Sequence, residues 1–393
     1  MGTNKNLFIP ILLFKFKDFI TVTYLKNKSK KLYPNVMKKV IVGMSGGVDS
    51  SVTAYLLKEQ GYSVEGISFI LYEARLKNTF TGCCSIEAIN DARRTAEHMG
   101  VTHAAVDLRN EFIQKVIEPF IEAYSQGITP NPCILCNKYI KFPYLLKIAD
   151  EKGADFIATG HYARVESGQG SRVKGQGCLL KKGLDAKKDQ SYVLYVLRQE
   201  ELSRLKLPLG EKRKDEVREI ARMLNLPAAK RPESQEICFI EDRNYFKFLE
   251  HLTESKEGPI IDVETGNILG SHKGLHLYTI GQRKRLGIAT GKPLFVTRID
   301  PSKNAIYVGP REAAMMKEFV VEDVNWLSTQ EGLEHFRATV KVRSMMKDEP
   351  ATISILDDNM AKVIYDEPQW APAPGQSAVF YDEDTVIGGG VIV

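Results

Sequence analysis

The chain has 393 residues, with 54 Lys and Arg against 49 Asp and Glu, a formal charge of +5 and a sequence pI near 8.6. The excess sits in one place: residues 1–36 hold seven lysines and a single acid, Asp18, so this tail carries +6 and the other 357 residues carry −1. A near-neutral body that is 43% hydrophobic and 26% charged excludes a uniformly basic nucleic-acid coat and predicts a soluble fold of two or three domains, whose nucleic-acid contacts must use local basic patches.

Residues 1–36 come first. Their apolar run at 7–14 is broken by Lys15, Lys17 and Asp18 and falls far short of the ~20 residues a membrane span requires. A secretory signal would carry its charges before the apolar stretch and a small-residue cleavage site after it, and a transit peptide would be rich in Arg and Ser; neither pattern is present. The segment reads as a basic extension, either disordered or a mis-called start, with Met37 opening the protein proper and the whole chain cytoplasmic and off the membrane.

From Met37 the pattern changes. Lys39-Val40-Ile41-Val42, bounded by Gly43, predicts a buried parallel strand. An amphipathic stretch at 52–58, stopped by Gly61, predicts a helix. A strand at 63–69, a helix at 85–99 closed by Gly100, a strand at 102–106 and another at 155–159 follow. Strands alternating with helices predict a doubly wound α/β sheet with its site at the strand C-termini. Residues 258–292 are rich in Gly, Lys and His and suit a small β-containing connector. Beyond 318, alternating segments at 319–324, 338–343, 351–356 and 377–381 predict an antiparallel β-barrel. The expected divisions are 1–36, 37–245, 246–311 and 312–393.

The sharpest chemical signal follows the first strand: Ser45-Gly46-Gly47-Val48-Asp49-Ser50. Two glycines let backbone approach a ligand, successive N–H groups form an anion-binding nest, and the following helix offers its positive end. Ser45 and Ser50 add hydroxyl donors, and Asp49 could orient Mg²⁺ on the phosphates. The bland alternative is a Ser/Gly-rich capping turn with no ligand. The run is neither a Walker A loop nor a G-x-G-x-x-G fingerprint. It resembles the PP-loop of the ATP pyrophosphatase superfamily, whose members cleave ATP between its α and β phosphates and activate a substrate oxygen as an adenylate.

Six cysteines are too few and too unevenly spaced for a disulfide scaffold in a chain this long. Cys83-Cys84 and Cys178 read as packing or incidental thiols. Cys133 and Cys136 form C-x-x-C inside Thr129-Pro130-Asn131-Pro132-Cys133-Ile134-Leu135-Cys136-Asn137, and Cys238 stands in Cys238-Phe239-Ile240. Two prolines stiffen the first segment into a loop that should not open a helix in the thioredoxin manner. Structural zinc lacks a fourth ligand. Paired-thiol sulfur transfer and a three-cysteine iron–sulfur cluster both stay open.

These segments, with Gly43-Met44, Ala158-Thr159-Gly160-His161-Tyr162, Lys188-Asp189-Gln190-Ser191-Tyr192, Tyr278-Thr279-Ile280-Gly281-Gln282-Arg283 and Pro374-Gly375-Gln376, resemble the tRNA-specific 2-thiouridylase family, MnmA type. Order and spacing match from Met37 to the C-terminus. The resemblance implies ATP-dependent adenylation of the wobble uridine, U34, in the tRNA anticodon loop, and replacement of its O2 by persulfide sulfur from a sulfur-relay protein or cysteine desulfurase. It makes Cys136 the nucleophile, Cys238 the persulfide carrier and the pair a transient disulfide, with His161 and Gln376 in catalytic support. Gly43, Met44, Ser45, Gly46, Gly47, Val48, Asp49, Ser50, Phe69 and Gly160 would hold ATP and Mg²⁺. Asn131, Pro132, Cys133, Lys188, Asp189, Gln190, Arg283, Arg343 and Ser344 would meet tRNA. If Cys133 joined Cys136 and Cys238 on an iron–sulfur cluster, the thiols would be ligands instead. Lys181-Lys182, Lys187-Lys188, Lys212-Arg213-Lys214 and Arg283-Lys284-Arg285 are the candidate basic patches. A small-molecule PP-loop ligase and a catalytically silent RNA-binding module are the rival readings.

Overall fold

Val40, Ile41 and Val42 are completely buried in strand β1 (Lys39–Gly43), as a β-branched run must be when helices cover both faces of a parallel sheet. The computed structural model describes residues 37–72, 86–168, 177–230, 237–240, 248–249, 255–328 and 333–393. The tail at 1–36, Ser85 at the predicted helix start, Cys83, Cys84 and residues 234–236 of the Cys238 motif lie outside them. β1 leads into α1 (Val48–Glu59), then β2 (Ser63–Ile70), α2 (Ile86–His98), β3 (Thr102–Asp107) and, further on, β4 (Phe156–Ala158). Among the described residues these strands and the short Leu205–Lys206 make a five-stranded sheet in the order β3-β2-β1-β4 and Leu205–Lys206, parallel throughout. The chain builds outward from β1 to β3 and then returns to β4 on the other side of β1. That reversal opens a crevice above the C-terminal ends of β1 and β4, where ligands of such sheets bind.

The next layer is a four-stranded sheet in the order Phe295–Asp300, Ala305–Gly309, Gly258–Asp262 and Ile268–His272. The C-terminal part is the expected antiparallel barrel. Six strands close because Met315–Trp326 pairs with both Ala361–Trp370 and Thr385–Ile392. Two of its strands have no clear alternation: Ala361–Trp370 contains Asp366, Glu367 and Pro368, and Thr385–Ile392 contains three consecutive glycines. A hairpin from the catalytic part, Ala163–Gly168 with Gly177–Lys182, extends the barrel's sheet through the Thr385–Lys181 pairing. No helix among the described residues is long and apolar enough to cross a membrane.

Residues 188–192 fasten barrel to sheet, and residues 37–393 consequently form one unit. The Asp189 carboxylate, whose side chain is 5% exposed, accepts from the N–H groups of Gly183 and Ser191 at 3.0 and 3.1 Å and from the Ser191 hydroxyl at 2.9 Å. Lys341 of the barrel, itself buried, lies 3.7 Å from the same carboxylate. Tyr192, fully buried, donates to the carbonyl oxygen of Ser377 at 2.8 Å, and Tyr195 Oη lies 2.9 Å from Ser377 Oγ. Truncating Tyr192 to Phe leaves that buried carbonyl without its donor. The Tyr192→Phe variant should lose about 1–2 kcal/mol of unfolding free energy, measured by chemical denaturation.

Candidate active site

The loop between β1 and α1 is braced from within. Ser50 Oγ accepts from the Ser45 N–H at 3.1 Å and donates to the Gly47 carbonyl at 3.2 Å. Gly46 has φ +73°, and a Cβ there would collide with the carbonyl of Ala88 in α2. Gly47 caps α1 with extended backbone and no side-chain bond to the first turn. The leading N–H groups of α1 therefore face the crevice as donors for an anion, reinforced by the helix dipole. Across the crevice, a Cβ on Gly160 would sit 2.8 Å from Asp49 C and Ser50 N. Only glycine lets the end of β4 pack so closely on the start of α1. The donor set fits nucleotide phosphates.

Asp49 is engaged from two sides. Tyr162 Oη donates to its Oδ1 at 2.7 Å, and Lys214 Nζ lies 2.6 and 2.7 Å from its two oxygens. Next to Gly160, His161 Nδ1 is 2.8 Å from Thr159 Oγ1, and its ring stacks on Phe142 at 5.9 Å between centroids. Burial, followed by the nearby charge of Lys141, holds the His161 imidazole well below its usual pKa. Both causes disfavour the protonated ring, so the group is held neutral. Phe69, at the C-terminal end of β2, packs between the sheet core and the thiol region.

The C-x-x-C segment is helical, a correction to the expected rigid loop. Asn131 caps it by accepting from the N–H groups of Cys133 and Ile134 at 3.2 and 3.4 Å, and Pro132 opens the helix Pro132–Cys136. Proline's fixed φ and missing N–H suit that first position, so the residue expected to stiffen a loop starts a helix. A π-helical turn, Asn137–Lys141, follows. It buries Asn137, which donates to the Val193 carbonyl at 2.8 Å and accepts from Lys141 Nζ at 3.1 Å. Cys136 is 8% exposed. Cys136 and Cys238, far apart in sequence, belong to one apolar cluster with Phe112, Phe120 and Phe239, whose rings meet edge to face at 5.3–5.7 Å. Cys133 instead faces solvent. Among the described residues no group of three His, Cys, Asp or Glu side chains is arranged to hold a metal ion, so the three thiols do not fit a cluster.

The barrel holds this segment from behind. The Thr129 N–H donates to the Pro374 carbonyl at 2.9 Å, and Gln376 Nε2 donates to the Thr129 carbonyl at 2.8 Å. Gly375 has φ +85°, and a side chain there would strike Ile128. Arg343 Nη2 donates to the carbonyls of Ile280 and Ala371 at 3.0 and 2.9 Å, tying the Gly281 loop to the barrel. Arg283, Lys284 and Arg285 project into solvent from that loop, while Lys188 and Ser344 are half-buried. Asp189 is turned inward, and Gln190 accepts from the Tyr162 N–H at 3.0 Å. Of the basic pairs, Lys181 and Lys182 are occupied by Glu166 and Asp348 at 3.0 and 2.8 Å. The sequence alone places Lys214 on a basic patch; its pairing with Asp49, 165 residues away, carries no local signal.

A tRNA-specific 2-thiouridylase MnmA of Carboxydothermus hydrogenoformans is 48% identical over 360 residues, covering 90% of this chain and 97% of its own. The Halothermothrix orenii protein of the same name is 47% identical, covering 91% and 99%. The chain belongs to the tRNA-specific 2-thiouridylase MnmA family. Family models described as a tRNA methyl transferase HUP domain, a tRNA methyl transferase PRC-barrel domain and an aminomethyltransferase beta-barrel domain match residues 38–242, 246–310 and 316–392. Among solved structures, the U34-tRNA thiolase NcsA of Methanococcus maripaludis overlays at TM-score 0.33 with 23% identity, covering 52% of this chain and 63% of that one. That likeness is too slight to bear on the site of this MnmA-family chain.

Two outcomes follow from the site's geometry. Asp is a favoured helix cap, and a Cβ on Gly47 meets only Ser45 Oγ, at 3.5 Å. Gly47→Asp should therefore keep or raise the melting temperature while its carboxylate abolishes ATP binding, measured by calorimetry. For His161, folding lowers the affinity for a proton, so on acidification the unfolded chain is protonated first and stability falls below about pH 6.5. His103 and His272, also lowered by burial, act in the same direction. The His161→Gln variant should lose less melting temperature than the wild type between about pH 7.5 and pH 5.5.

Proposed function

We propose that this chain is an ATP-dependent tRNA 2-thiouridylase acting in the cytoplasm on U34 of the anticodon loop. The observation that carries the reading is the placement on one edge of the parallel sheet of an uncapped glycine turn, after β1, and of two distant thiols in one apolar cluster with Phe69, Leu71 and Leu108 at the ends of β2 and β3. A phosphate nest alone would suit many adenylating enzymes. The added thiol pair suits sulfur as the incoming group, against a small-molecule ligase or a silent RNA-binding module.

The uridine O2 attacks the α-phosphorus of ATP and pyrophosphate leaves, so the oxygen becomes part of an AMP leaving group. The N–H groups at the start of α1 and the hydroxyl of Ser45 stabilise the charge on the phosphates, while Ser50 braces the loop from within. Asp49 is the residue that would hold Mg²⁺, which supplies further neutralisation of the departing pyrophosphate. The terminal sulfur of a persulfide on Cys238 attacks C2 and expels AMP. Cys136 thiolate then attacks Cys238 Sγ, releasing 2-thiouridine and leaving a Cys136–Cys238 disulfide. A thiol reductant restores both thiols, and a sulfur-relay protein or cysteine desulfurase reloads Cys238. His161, next to Gly160, supports the site as a hydrogen-bonding group. The base must leave its stack to reach the persulfide on Cys238, and the exposed Arg283-Lys284-Arg285 loop provides positive charge for the phosphate backbone.

Unmodified tRNA incubated with the protein, ATP and a persulfide donor should yield 2-thiouridine and AMP, read by nucleoside mass spectrometry. Cys136→Ser and Cys238→Ser should each lower the yield by at least about a hundredfold; a normal yield from either would overturn the thiol assignment. Deleting residues 1–36, which carry none of these groups, should leave thiolation unchanged.

A further inference from the structure

The nucleotide loop carries no cation of its own. Residues 43–50 provide backbone N–H groups, two hydroxyls and one carboxylate, and no Lys or Arg. Against a triphosphate they supply neutral donors and one repelling charge, where a Walker A loop would supply a lysine. The fold brings a cation from 165 residues away: Lys214, at the first position of the helix Lys214–Met223, is paired with both oxygens of Asp49. Its side chain is 12% exposed, whereas that of Asp49 is 35% exposed, so the ammonium lies in the crevice wall and the carboxylate opens from it.

The lysine is anchored at its root. Its N–H donates to Asp185 Oδ2 at 3.0 Å, and the preceding Arg213 N–H is capped by the Glu216 carboxylate at 2.6 Å. Beyond that root the four-carbon arm carries the ammonium to Asp49. Tyr162, whose hydroxyl shares the Asp49 carboxylate, presents its ring 5.6 Å from Nζ, a face along which an ammonium can shift while still stabilised. A divalent cation competes for the same carboxylate with twice the charge, and phosphates at the start of α1 create the negative charge that draws a displaced ammonium.

We propose that Lys214 is a phosphate-binding residue of the nucleotide site: it neutralises Asp49 and turns to the ATP phosphates when a divalent cation takes that carboxylate. The inference rests on the reading of residues 43–50 as the nucleotide loop, and its test separates the two.

Binding of α,β-methylene-ATP with Mg²⁺ to the full chain, measured by calorimetry, needs no tRNA and no turnover. Lys214→Met should weaken binding roughly tenfold or more, Lys214→Arg should keep most of it, and Lys214→Gln, which retains a polar end, should behave as Met does; thermal melting identifies the folded variants. In an Asp49→Asn background, Lys214→Met should weaken binding again. No further loss there would mean that Lys214 acts only by positioning Asp49, which overturns the proposal. Wild-type affinity in Lys214→Met, with binding lost in Gly47→Asp, would also overturn it and leave the nucleotide loop standing. Wild-type affinity in Gly47→Asp would sink the loop reading and the proposal with it.

Discussion

A helix that begins without a side-chain cap, directly above a buried strand, sets the terms for the rest of this molecule. Four N–H groups at such a start have no intrahelical acceptor, and here Gly47 offers no side chain to satisfy them. The site tolerates that deficit because it opens to a crevice where water or phosphate can accept. The crevice exists because β4 returns beside β1, and Gly160 lets the two chain segments touch. A bulkier residue at 160 would push the end of β4 from the loop and widen the cleft that the donors must span.

The second constraint is that the thiol helix is positioned by chain far away from it. Thr129, at its entrance, is bonded on both its N–H and its carbonyl by the barrel loop at Pro374 and Gln376. On its far side Asn137 is held by Val193, next to the tyrosines that lock the barrel. Cys136 therefore sits between a direct attachment to the barrel at Thr129 and an indirect one through Val193, whose neighbours Tyr192 and Tyr195 bond to Ser377 of the barrel. The barrel acts as a splint for the helix that carries Cys136. The inward turn of Asp189, and the use of Arg343 on the carbonyls of Ile280 and Ala371, belong to the same arrangement.

Much of the fold was legible before any coordinates. Val40 to Val42 could only be a buried strand, the Gly-Gly turn could only be a close approach or a cap, and the alternating segments after 318 could only be sheet. Ala361–Trp370 and Thr385–Ile392 escaped because acids, a proline and three glycines erase alternation in strands that barrel closure imposes. Pro132 was misread because proline both stiffens loops and starts helices, and the Asn131 cap decides between them.

The sequence by itself determined the chemistry on offer: a glycine turn before a helix, two thiols, a histidine at a strand end, and a basic tail separate from a neutral body. Each is set within a few residues, by backbone freedom, turn chemistry or side-chain type. Tertiary structure alone decided what each group faces. Lys214 meets Asp49 across 165 residues, and Gln376 meets Thr129 across 247. Whether a lysine serves as surface charge or as the counter-ion of a loop depends on contacts formed only when the whole sheet and barrel have closed. No local periodicity encodes such pairs, because their energy belongs to the packed chain rather than to either segment.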